Sequence, residues 1–172
     1  MTTAQDDMTT AQDGTATPVA AATRKAVATE TAARLFEAYR RHDVEAMTDM
    51  CTDTAEFSYV PYEVWGKQRV LRGDGKVKTV GKTIWAGLIH SFPDLFNTVH
   101  SIDSNDHGDA VVSCDIGGCQ QTAWGFAEPR GGSFSEPHLF ILHIDEEGLI
   151  DTVRAYWDAA GINRQLGHLE VD

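Results

Sequence analysis

Apolar and polar residues between positions 23 and 93 repeat with the period of an α-helix. Thr31, Leu35 and Tyr39 fall on one stripe, as the core-facing side of an amphipathic helix requires. Asp43 has the sequence position of an N-cap for a short second helix, and Pro93 ends a third segment of helical period. The pattern therefore predicts three helices. The first begins near Thr23, the second spans 44–50 and the third spans 83–92.

Beyond Pro93 the helical period disappears, and the apolar residues alternate as in half-buried strands. The turn-forming segments 105–108 and 145–148 predict tight hairpins, and the glycine-rich, basic stretch 65–82 predicts a loop or lid. Helices followed by antiparallel strands are typical of an α+β fold, with the helices on one face of a curved sheet. The predicted strands span 55–60, 95–102, 110–116, 120–126, 134–144 and 149–157.

Because side chains alternate along a strand, the two faces of the predicted sheet can be assigned. Glu136, His138 and Phe140 share one side of their strand, and Leu139 and Ile141 share the other. Both faces carry substantial apolar content, which a solvated sheet face would not. One face must therefore meet the helices, and we expect the other to meet a second subunit in a homodimer formed through the sheet.

Residues 1–22 differ in composition from the rest of the chain. The segment MTTAQD at positions 1–6 recurs at 8–13, and the 22 residues include three aspartates but no lysine or arginine. A signal peptide would need a basic start and an apolar stretch. So few apolar residues cannot offset the entropy lost on ordering. We expect a disordered tail over 1–22, followed by one domain over 23–172.

The composition of the whole chain narrows the classes of function. Of its 172 residues, 42% are hydrophobic and 23% are charged, an ordinary balance for a globular domain. Lysine and arginine number 14 against 26 aspartates and glutamates, and a net charge of −12 repels nucleic acid and anionic lipid. No apolar run reaches the roughly 18 residues that a membrane span needs. The three cysteines form no closed disulfide set, so we expect a cytoplasmic protein. Because of the negative charge and the lack of a long apolar run, we expect no nucleic-acid and no membrane partner.

The last third of the chain resembles a known superfamily. The segment DEEGLI at 145–150, followed by RAYWD at 154–158, is similar to the final hairpin of the nuclear-transport-factor-2-like superfamily, which includes ketosteroid isomerases and SnoaL-type polyketide cyclases. Further segments agree in order and spacing, among them QLG at 165–167. The resemblance implies a cone-shaped barrel in which three N-terminal helices pack on a strongly curved antiparallel sheet, usually as a dimer.

The catalytic groups of the ketosteroid isomerases are absent from this chain. The resemblance places Leu35 at that family's oxyanion tyrosine, Tyr59 at its aspartate base and Phe140 at its protonated aspartic acid. None of the three functional groups is present, so steroid isomerisation by that mechanism is not expected. The same alignment implies a set of cone-lining residues: Val111, Ser113, Asp115, Glu136, His138, Phe140 and Trp157.

The resemblance to the cyclases rests on FPDL at 92–95, WGF at 124–126 and the pair Trp157–Asp158. Cyclases of that type close a polyketide ester by an intramolecular aldol reaction, without a metal or an organic cofactor. A single aspartate acts there as acid and base, often near a histidine. Alignment on the turn at Gly148 places this aspartate near Ala155, and alignment on the Trp–Asp pair places it at Asp158.

Three residues are the candidates for catalysis. Asp115 is the first candidate base, because a charged residue in an apolar strand is expensive to bury unless it is used or paired; the alternative is a hydrated strand end or a contact with Arg154. His138 can act as a base or donate to an enolate, and the alternative is a core histidine bonded to a backbone carbonyl. Asp158 is either catalytic or the N-cap of a final helix that begins near Ala159.

The remaining site residues are predicted to contact the substrate, although aromatic residues would also pack in a core without a ligand. No clustered histidine and cysteine set is present, so we expect no metal and no cofactor. The predicted function is cofactor-independent acid–base catalysis by a SnoaL-like enzyme on an apolar, carbonyl-bearing small molecule such as a polyketide. The alternatives are an isomerase or epoxide hydrolase in the same cone, and a non-catalytic binding or dimerisation module. The predicted substrate-binding residues are Tyr39, Tyr59, Trp124, Glu136, Phe140 and Trp157.

Overall fold

Six strands form one open sheet in the computed structural model of the protein, which describes residues 23–61, 73–125 and 127–169. The strands are β1 (Cys51–Pro61), β2 (Gly73–Lys76), β3 (Phe96–Ser104), β4 (Asp109–Cys119), β5 (Ser133–Ile144) and β6 (Ile150–Trp157). Their order across the sheet is β2-β1-β6-β5-β4-β3. Neighbouring strands are antiparallel, as predicted, except β1 and β6, which run parallel. These two strands are not joined by a hairpin, and no turn signal reports their relative direction.

The three predicted N-terminal helices are confirmed, and a fourth helix follows the last strand. They are α1 (Arg24–Arg40), α2 (Val44–Asp49), α3 (Lys82–Ser91) and α4 (Ala159–Gln165). The helices and the sheet together confirm the predicted α+β class. No helix within the described ranges is both long and apolar enough to cross a lipid bilayer. The segment 1–22, which we expect to be disordered, lies outside the described residues.

Side-chain caps fix the first two helices where the sequence predicts them. The Thr23 side chain accepts a hydrogen bond from the amide of Ala26 at 3.2 Å, and that of Asp43 accepts one from Ala46 at 3.0 Å. Each cap satisfies an amide that has no partner within its helix. The junction between the helices passes through His42, whose φ of 59° lies in the left-handed region.

Part of the stretch predicted as a loop or lid has regular structure. Gly73–Lys76 forms β2, which pairs with β1, and Val77–Gly81 forms a π-helical turn that leads into α3. Close packing explains the glycine at the end of this turn, because a Cβ atom on Gly81 would lie 2.8 Å from the ring of Phe57. The earlier part of the predicted loop lies outside the described residues.

The strand predicted at 120–126 is wrong for the residues that the structure describes. Gln120 is buried, and its Nε2 donates to the carbonyls of Thr122 at 3.1 Å and Ala127 at 2.6 Å. The Gln120 side chain thereby satisfies two backbone carbonyls of the irregular segment that follows β4. Residues 120–125 form a loop, which a pattern of alternating side chains alone does not distinguish from a strand.

The helices cover one face of the sheet, here called the inner face. The rings of Phe36 on α1 and Phe140 on β5 meet edge to face at 5.0 Å, and those of Trp85 on α3 and Phe57 on β1 do so at 5.4 Å. On the opposite, outer face Leu139 is 40% exposed. The buried apolar residues of β4, β5 and β6 on the inner face include Ala110, Val112, Cys114, Ile116, Phe134, Phe140, Leu142, Ile144, Ile150, Val153 and Ala155.

The two ends of the sheet are held differently. At one end, here called the turn end, the Arg24 guanidinium donates to the carbonyl oxygens of His107 at 3.2 Å and Ile144 at 2.9 Å, and also to that of Asp145. The carbonyls of His107 and Asp145 belong to the two hairpin turns and that of Ile144 ends β5, so α1 is fastened to both turns. At the other end, here called the α4 end, α4 packs against the start of β5.

Candidate functional site

His138 lies on the inner face of β5, close to the α4 end. It pairs in register with Cys114 on β4 and Trp157 on β6. Its ring is nearly parallel to the Trp157 indole, with 5.5 Å between centroids, and lies 6.3 Å from the Phe140 ring. Nδ1 is 2.8 Å from the Glu136 carbonyl oxygen. Because a carbonyl only accepts, Nδ1 carries the proton, and Nε2 is left as the acceptor.

The electrostatic surroundings of His138 keep this imidazole neutral. Burial lowers its pKa to about 4, although the Glu136 carbonyl and the Asp115 carboxylate act in the opposite direction. No hydrogen bond from a described residue reaches Nε2. The ring is therefore an oriented, unprotonated base at neutral pH. The carbonyl contact is the one that the alternative interpretation, a core histidine, predicted, and Nε2 has no hydrogen-bond partner among the described residues.

Asp115 does not share the inner face with His138, so the prediction that it lines the cone is wrong. The register pairs Cys114 with His138, whereas Asp115 pairs with Pro137 on the outer face. Its Oδ2 lies 3.0 Å from His100 Nε2, and both side chains are partly exposed. The same alternation places Val111 and Ser113 on the outer face, which corrects their predicted position as well.

Asp158 caps the last helix, as the alternative prediction had it. Its Oδ1 accepts a hydrogen bond from the Gly161 amide at 2.9 Å. A Cβ atom on Gly161 would lie 3.0 Å from Asp158 Oδ2 and also 3.0 Å from Glu136 Oε1. The two carboxyl groups therefore share a small region at the α4 end, and the lack of a side chain at Gly161 provides the space.

Glu136 lies on the inner face, two residues before His138. Its Oε2 accepts a hydrogen bond from Gln165 Nε2 at 2.7 Å, and the Gln165 Oε1 accepts from the Ser135 amide at 2.9 Å. Burial raises the pKa of Glu136, and the Asp158 carboxylate adds to this, while the Gln165 hydrogen bond acts in the opposite direction. Sequence reasoning matched Gln165 to the superfamily but assigned its side chain no role.

Aromatic side chains surround this part of the inner face. The Tyr59 ring lies 5.0 Å from that of Trp157 and 6.2 Å from that of Phe140. Trp85 Nε1 donates a hydrogen bond to the Tyr59 hydroxyl oxygen at 2.6 Å. Nothing in the sequence indicated this bond, which joins β1 to α3. Burial raises the pKa of both Tyr39 and Tyr59, so both phenols are protonated at neutral pH.

Trp124 belongs to a different aromatic group from the other predicted substrate-binding residues. Its ring packs edge to face on Phe92 at 5.7 Å, and Phe92 packs on Phe134 at 5.2 Å. The ring contacts of the described residues do not connect Trp124 with His138 or with Trp157.

A thiolate nucleophile is not part of the site. Cys114 is the cross-strand neighbour of His138, but burial raises its pKa to about 12, so the sulfur stays a thiol at neutral pH. In the part of the chain that the structure describes, no three His, Cys, Asp or Glu side chains are grouped so as to hold a metal ion. The arrangement offers proton transfer by His138 and Glu136 and hydrogen bonding by two phenols.

Comparison with known proteins finds likeness in structure and not in sequence. No protein-family model and no curated protein matches the chain. A SnoaL-like polyketide cyclase candidate from Jannaschia sp. CCS1 superposes with a TM-score of 0.68 at 15% identity, over 89% of this chain and 100% of that one. IdmH, a candidate polyketide cyclase from Streptomyces antibioticus, gives 0.64 at 20% identity, over 81% and 98%.

An epoxide hydrolase is similar as well. The LEH-like epoxide hydrolase of M. tuberculosis superposes with a TM-score of 0.57 at 14% identity, over 83% of this chain and 90% of that one. Identities this low show the architecture and leave the chemistry open, because this fold carries unrelated functions. The chain therefore has the fold of the SnoaL-like proteins of the nuclear-transport-factor-2-like superfamily.

Proposed function

We propose that the protein is a SnoaL-like enzyme that performs cofactor-independent acid–base catalysis on an apolar, carbonyl-bearing small molecule such as a polyketide. One observation carries this proposal. His138 is a neutral imidazole whose Nδ1 is fixed by the Glu136 carbonyl at 2.8 Å, and whose ring is held parallel to the Trp157 indole. An oriented base beside flat apolar surfaces suits a conjugated substrate.

The proposed reaction begins with removal of a proton from a carbon atom and ends with donation of a proton to an oxygen atom. Nε2 of His138 takes the proton of a carbon that lies between two carbonyls, and the electron pair of that C–H bond becomes an enolate. The enolate carbon attacks a second carbonyl carbon of the same molecule, so that a C–C bond forms and an alkoxide remains. The imidazolium proton, or a protonated carboxyl group at the mouth of the site, neutralises this alkoxide.

The basicity of His138 limits the substrates that fit this proposal. A pKa of about 4 makes the imidazole a weak base, which would not deprotonate an ordinary ketone at a useful rate. A carbon acid flanked by two carbonyls is far more acidic, and its enolate is further delocalised by conjugation. The proposal therefore favours β-dicarbonyl compounds over simple ketones.

An epoxide hydrolase in the same cone is the second candidate. The observation that favours it is the pair of carboxyl groups, Glu136 and Asp158, that share the space beside Gly161. One carboxylate would take a proton from water, whose oxygen then forms a bond to an epoxide carbon. The C–O bond of the ring breaks, and a protonated carboxyl group donates its proton to the released oxygen. The structural similarity to the LEH-like epoxide hydrolase of M. tuberculosis supports this candidate by analogy.

The test is turnover of a linear β-diketo ester by the wild type and by His138→Phe, which keeps a flat ring against Trp157. We expect kcat/KM to fall by about 10²- to 10⁴-fold, the range for losing a general base. His90→Gln, an exposed substitution on α3, serves as the matched control and should leave kcat/KM unchanged. Undiminished turnover by His138→Phe would overturn the proposal. Hydrolysis of styrene oxide, with no reaction of the ester, would favour the second candidate.

A further inference from the structure

An open groove lies between α1 and α2, and none of the residues assigned to the candidate site lines it. We call it the α1–α2 groove. Its volume is about 430 Å³, within the roughly 300–1,000 Å³ that is typical of small-molecule sites. The residues that α1 contributes are three or four positions apart, so they share one side of that helix.

The floor of the α1–α2 groove is apolar. Ala38 on α1 is buried, and Ala46 on α2 and Met50 at the end of α2 are partly buried against the core. Because an alanine side chain ends at Cβ, neither alanine fills the space between the two helices. A ligand that covers this floor with an apolar group removes it from water, which favours binding.

Two of the four charged side chains that line the groove neutralise each other. Glu37 Oε1 lies 3.5 Å from Arg41 Nη1, and Glu37 Oε2 accepts a hydrogen bond from Arg40. Both carboxylate oxygens of Glu37 are therefore occupied by arginines of the same helix. A ligand in the groove meets no unneutralised charge at this end.

The other two charged side chains, Arg34 on α1 and Asp49 on α2, are not neutralised in this way. Neither forms a hydrogen bond or an ion pair with any residue that the structure describes. Asp49 attracts Lys78 from beyond ion-pair distance, but the Lys78 ammonium group is bonded to Asp53. Arg34 and Asp49 line one groove without coming within 4.0 Å of each other. A cation and an anion thus stand on its walls with a gap between them.

We propose that the α1–α2 groove binds a free amino acid with an apolar side chain, whose carboxylate contacts Arg34 and whose ammonium group contacts Asp49. The apolar side chain of the ligand covers the floor of the groove. An anion would be repelled by Asp49 and by the net charge of −12, and a cation would be repelled by Arg34. A zwitterion carries no net charge and meets an opposite charge at each end. This site is independent of the chemistry proposed for His138.

The test is a titration of the full chain with L-phenylalanine at millimolar concentrations and neutral pH, followed by the amide proton and nitrogen shifts in NMR. The analogue 3-phenylpropionate lacks the ammonium group, and 2-phenylethylamine lacks the carboxylate. We expect saturable shifts at the amides of Ala38, Ala46 and Met50. Phenylalanine should bind more tightly than either analogue, because only phenylalanine makes both charge contacts.

Variants that remove one charge assign each contact. Arg34→Gln should weaken the binding of phenylalanine and 3-phenylpropionate by about two- to fivefold, the range for exposed charge contacts, and should not weaken that of 2-phenylethylamine. Asp49→Asn should weaken phenylalanine and 2-phenylethylamine and spare 3-phenylpropionate. The matched controls are Lys25→Gln and Asp106→Asn, which make the same changes of net charge at exposed positions outside the groove and should bind as the wild type does.

A variant that fills the groove leaves every charge in place. Ala46→Leu extends an apolar side chain into the space and keeps a good helix-forming residue, so it should abolish the shifts. Ala33→Leu, on the exposed side of α1, is the matched control and should bind phenylalanine as the wild type does. Urea unfolding verifies that each variant is folded.

The proposal is overturned if phenylalanine causes no saturable shifts in the wild type, or if it binds Ala46→Leu with unchanged affinity. It is also overturned if Arg34→Gln and Asp49→Asn both retain the wild-type affinity, or if either analogue binds as tightly as phenylalanine. The opposite preferences of the two charge variants for the two analogues would support it, because general damage to the protein weakens all three ligands alike.

Discussion

Gln165 donates a hydrogen bond from Nε2 to Glu136 Oε2 at 2.7 Å, and its Oε1 accepts one from the Ser135 amide at 2.9 Å. One amide side chain thereby joins the end of α4 to the start of β5. The bond to Glu136 favours the ionised carboxyl group, and it opposes the burial that raises the pKa of that group.

Replacing Gln165 by leucine should raise the pKa of Glu136 further, because the ionised form loses a donor while the burial remains. The measurement is a pH titration of the Glu136 carboxyl carbon by NMR in the wild type and in Gln165→Leu. Gln121→Leu, an exposed substitution in the loop that follows β4, should leave that pKa where it is. A lower pKa in Gln165→Leu would contradict the assigned bond.

Asp115→Asn should leave catalysis intact, because the side chain is on the outer face and pairs with His100. A partly exposed contact of this kind contributes about 0–1 kcal/mol, so the free energy of unfolding should change by no more than that. The measurements are kcat/KM on the β-diketo ester and the urea unfolding midpoint. A loss of turnover comparable to that of His138→Phe would show that Asp115 reaches the substrate after all.

Asp158→Ala should destabilise the protein by about 1 kcal/mol, the usual effect of removing an N-cap acceptor. Asp158→Ser keeps an acceptor for the Gly161 amide and should recover most of this stability in urea unfolding. If capping is the whole role of this residue, Asp158→Ser also retains turnover. Lost turnover at unchanged stability would instead assign the carboxyl group to the chemistry.

Protonation of His138 should destabilise the folded protein in mildly acidic solution. Its pKa is about 4 when folded and 6.5 ordinarily, so the unfolded chain binds more protons between those values and stability falls as the pH drops from 6.5 towards 4. This one group contributes at most about 1.4 kcal/mol per pH unit. The free energy of unfolding of His138→Phe should depend less steeply on pH across that window. An equal slope in His90→Gln and His138→Phe would contradict the lowered pKa.

The homodimer through the outer face stays a prediction. Leu139 is 40% exposed there, and its cross-strand neighbour is Ser113, with Ile141 and Val111 next along the two strands. We expect a dimeric mass in sedimentation at micromolar concentration, and a monomeric mass for Leu139→Glu. Ala33→Glu, on the exposed side of α1, should remain dimeric. A monomeric mass for the wild type would contradict the predicted homodimer.

Local sequence signals were sufficient for much of the fold. The caps at Asp43 and Asp158 are short-range contacts between a side chain and an amide three residues on, so the sequence alone predicts them. The alternation along β5 likewise put Glu136, His138 and Phe140 together, because the period of a strand is fixed by its backbone.

The assignment of β4 failed for a different reason. The alternation correctly separated Asp115 from Cys114, but the resemblance decided which set faced inward. The set with Val112, Cys114 and Ile116 is the more apolar one, and burial of apolar area would have selected it. The distribution of apolar residues along β4 therefore predicted its inner face better than the alignment to distant relatives did.

Contacts between elements far apart in the chain were not accessible to sequence reasoning. The Trp85–Tyr59 hydrogen bond depends on how α3 crosses β1, and the Gln165–Glu136 bond depends on where α4 returns to the sheet. Neither position follows from the period or composition of the segments involved. A tryptophan that packs as a core residue also gives no sign that its N–H orients a neighbouring phenol.

The Arg24 clamp has a consequence for how a ligand reaches the site. Opening the turn end would require breaking the bonds of one guanidinium to three carbonyls, two of them in separate turns and one at the end of β5. The α4 end depends instead on the solvent-accessible bonds of Gln165 and on a short helix. Exchange with bulk solution should therefore proceed past α4, so substitutions there would alter the speed of product departure while those around Arg24 would alter resistance to unfolding.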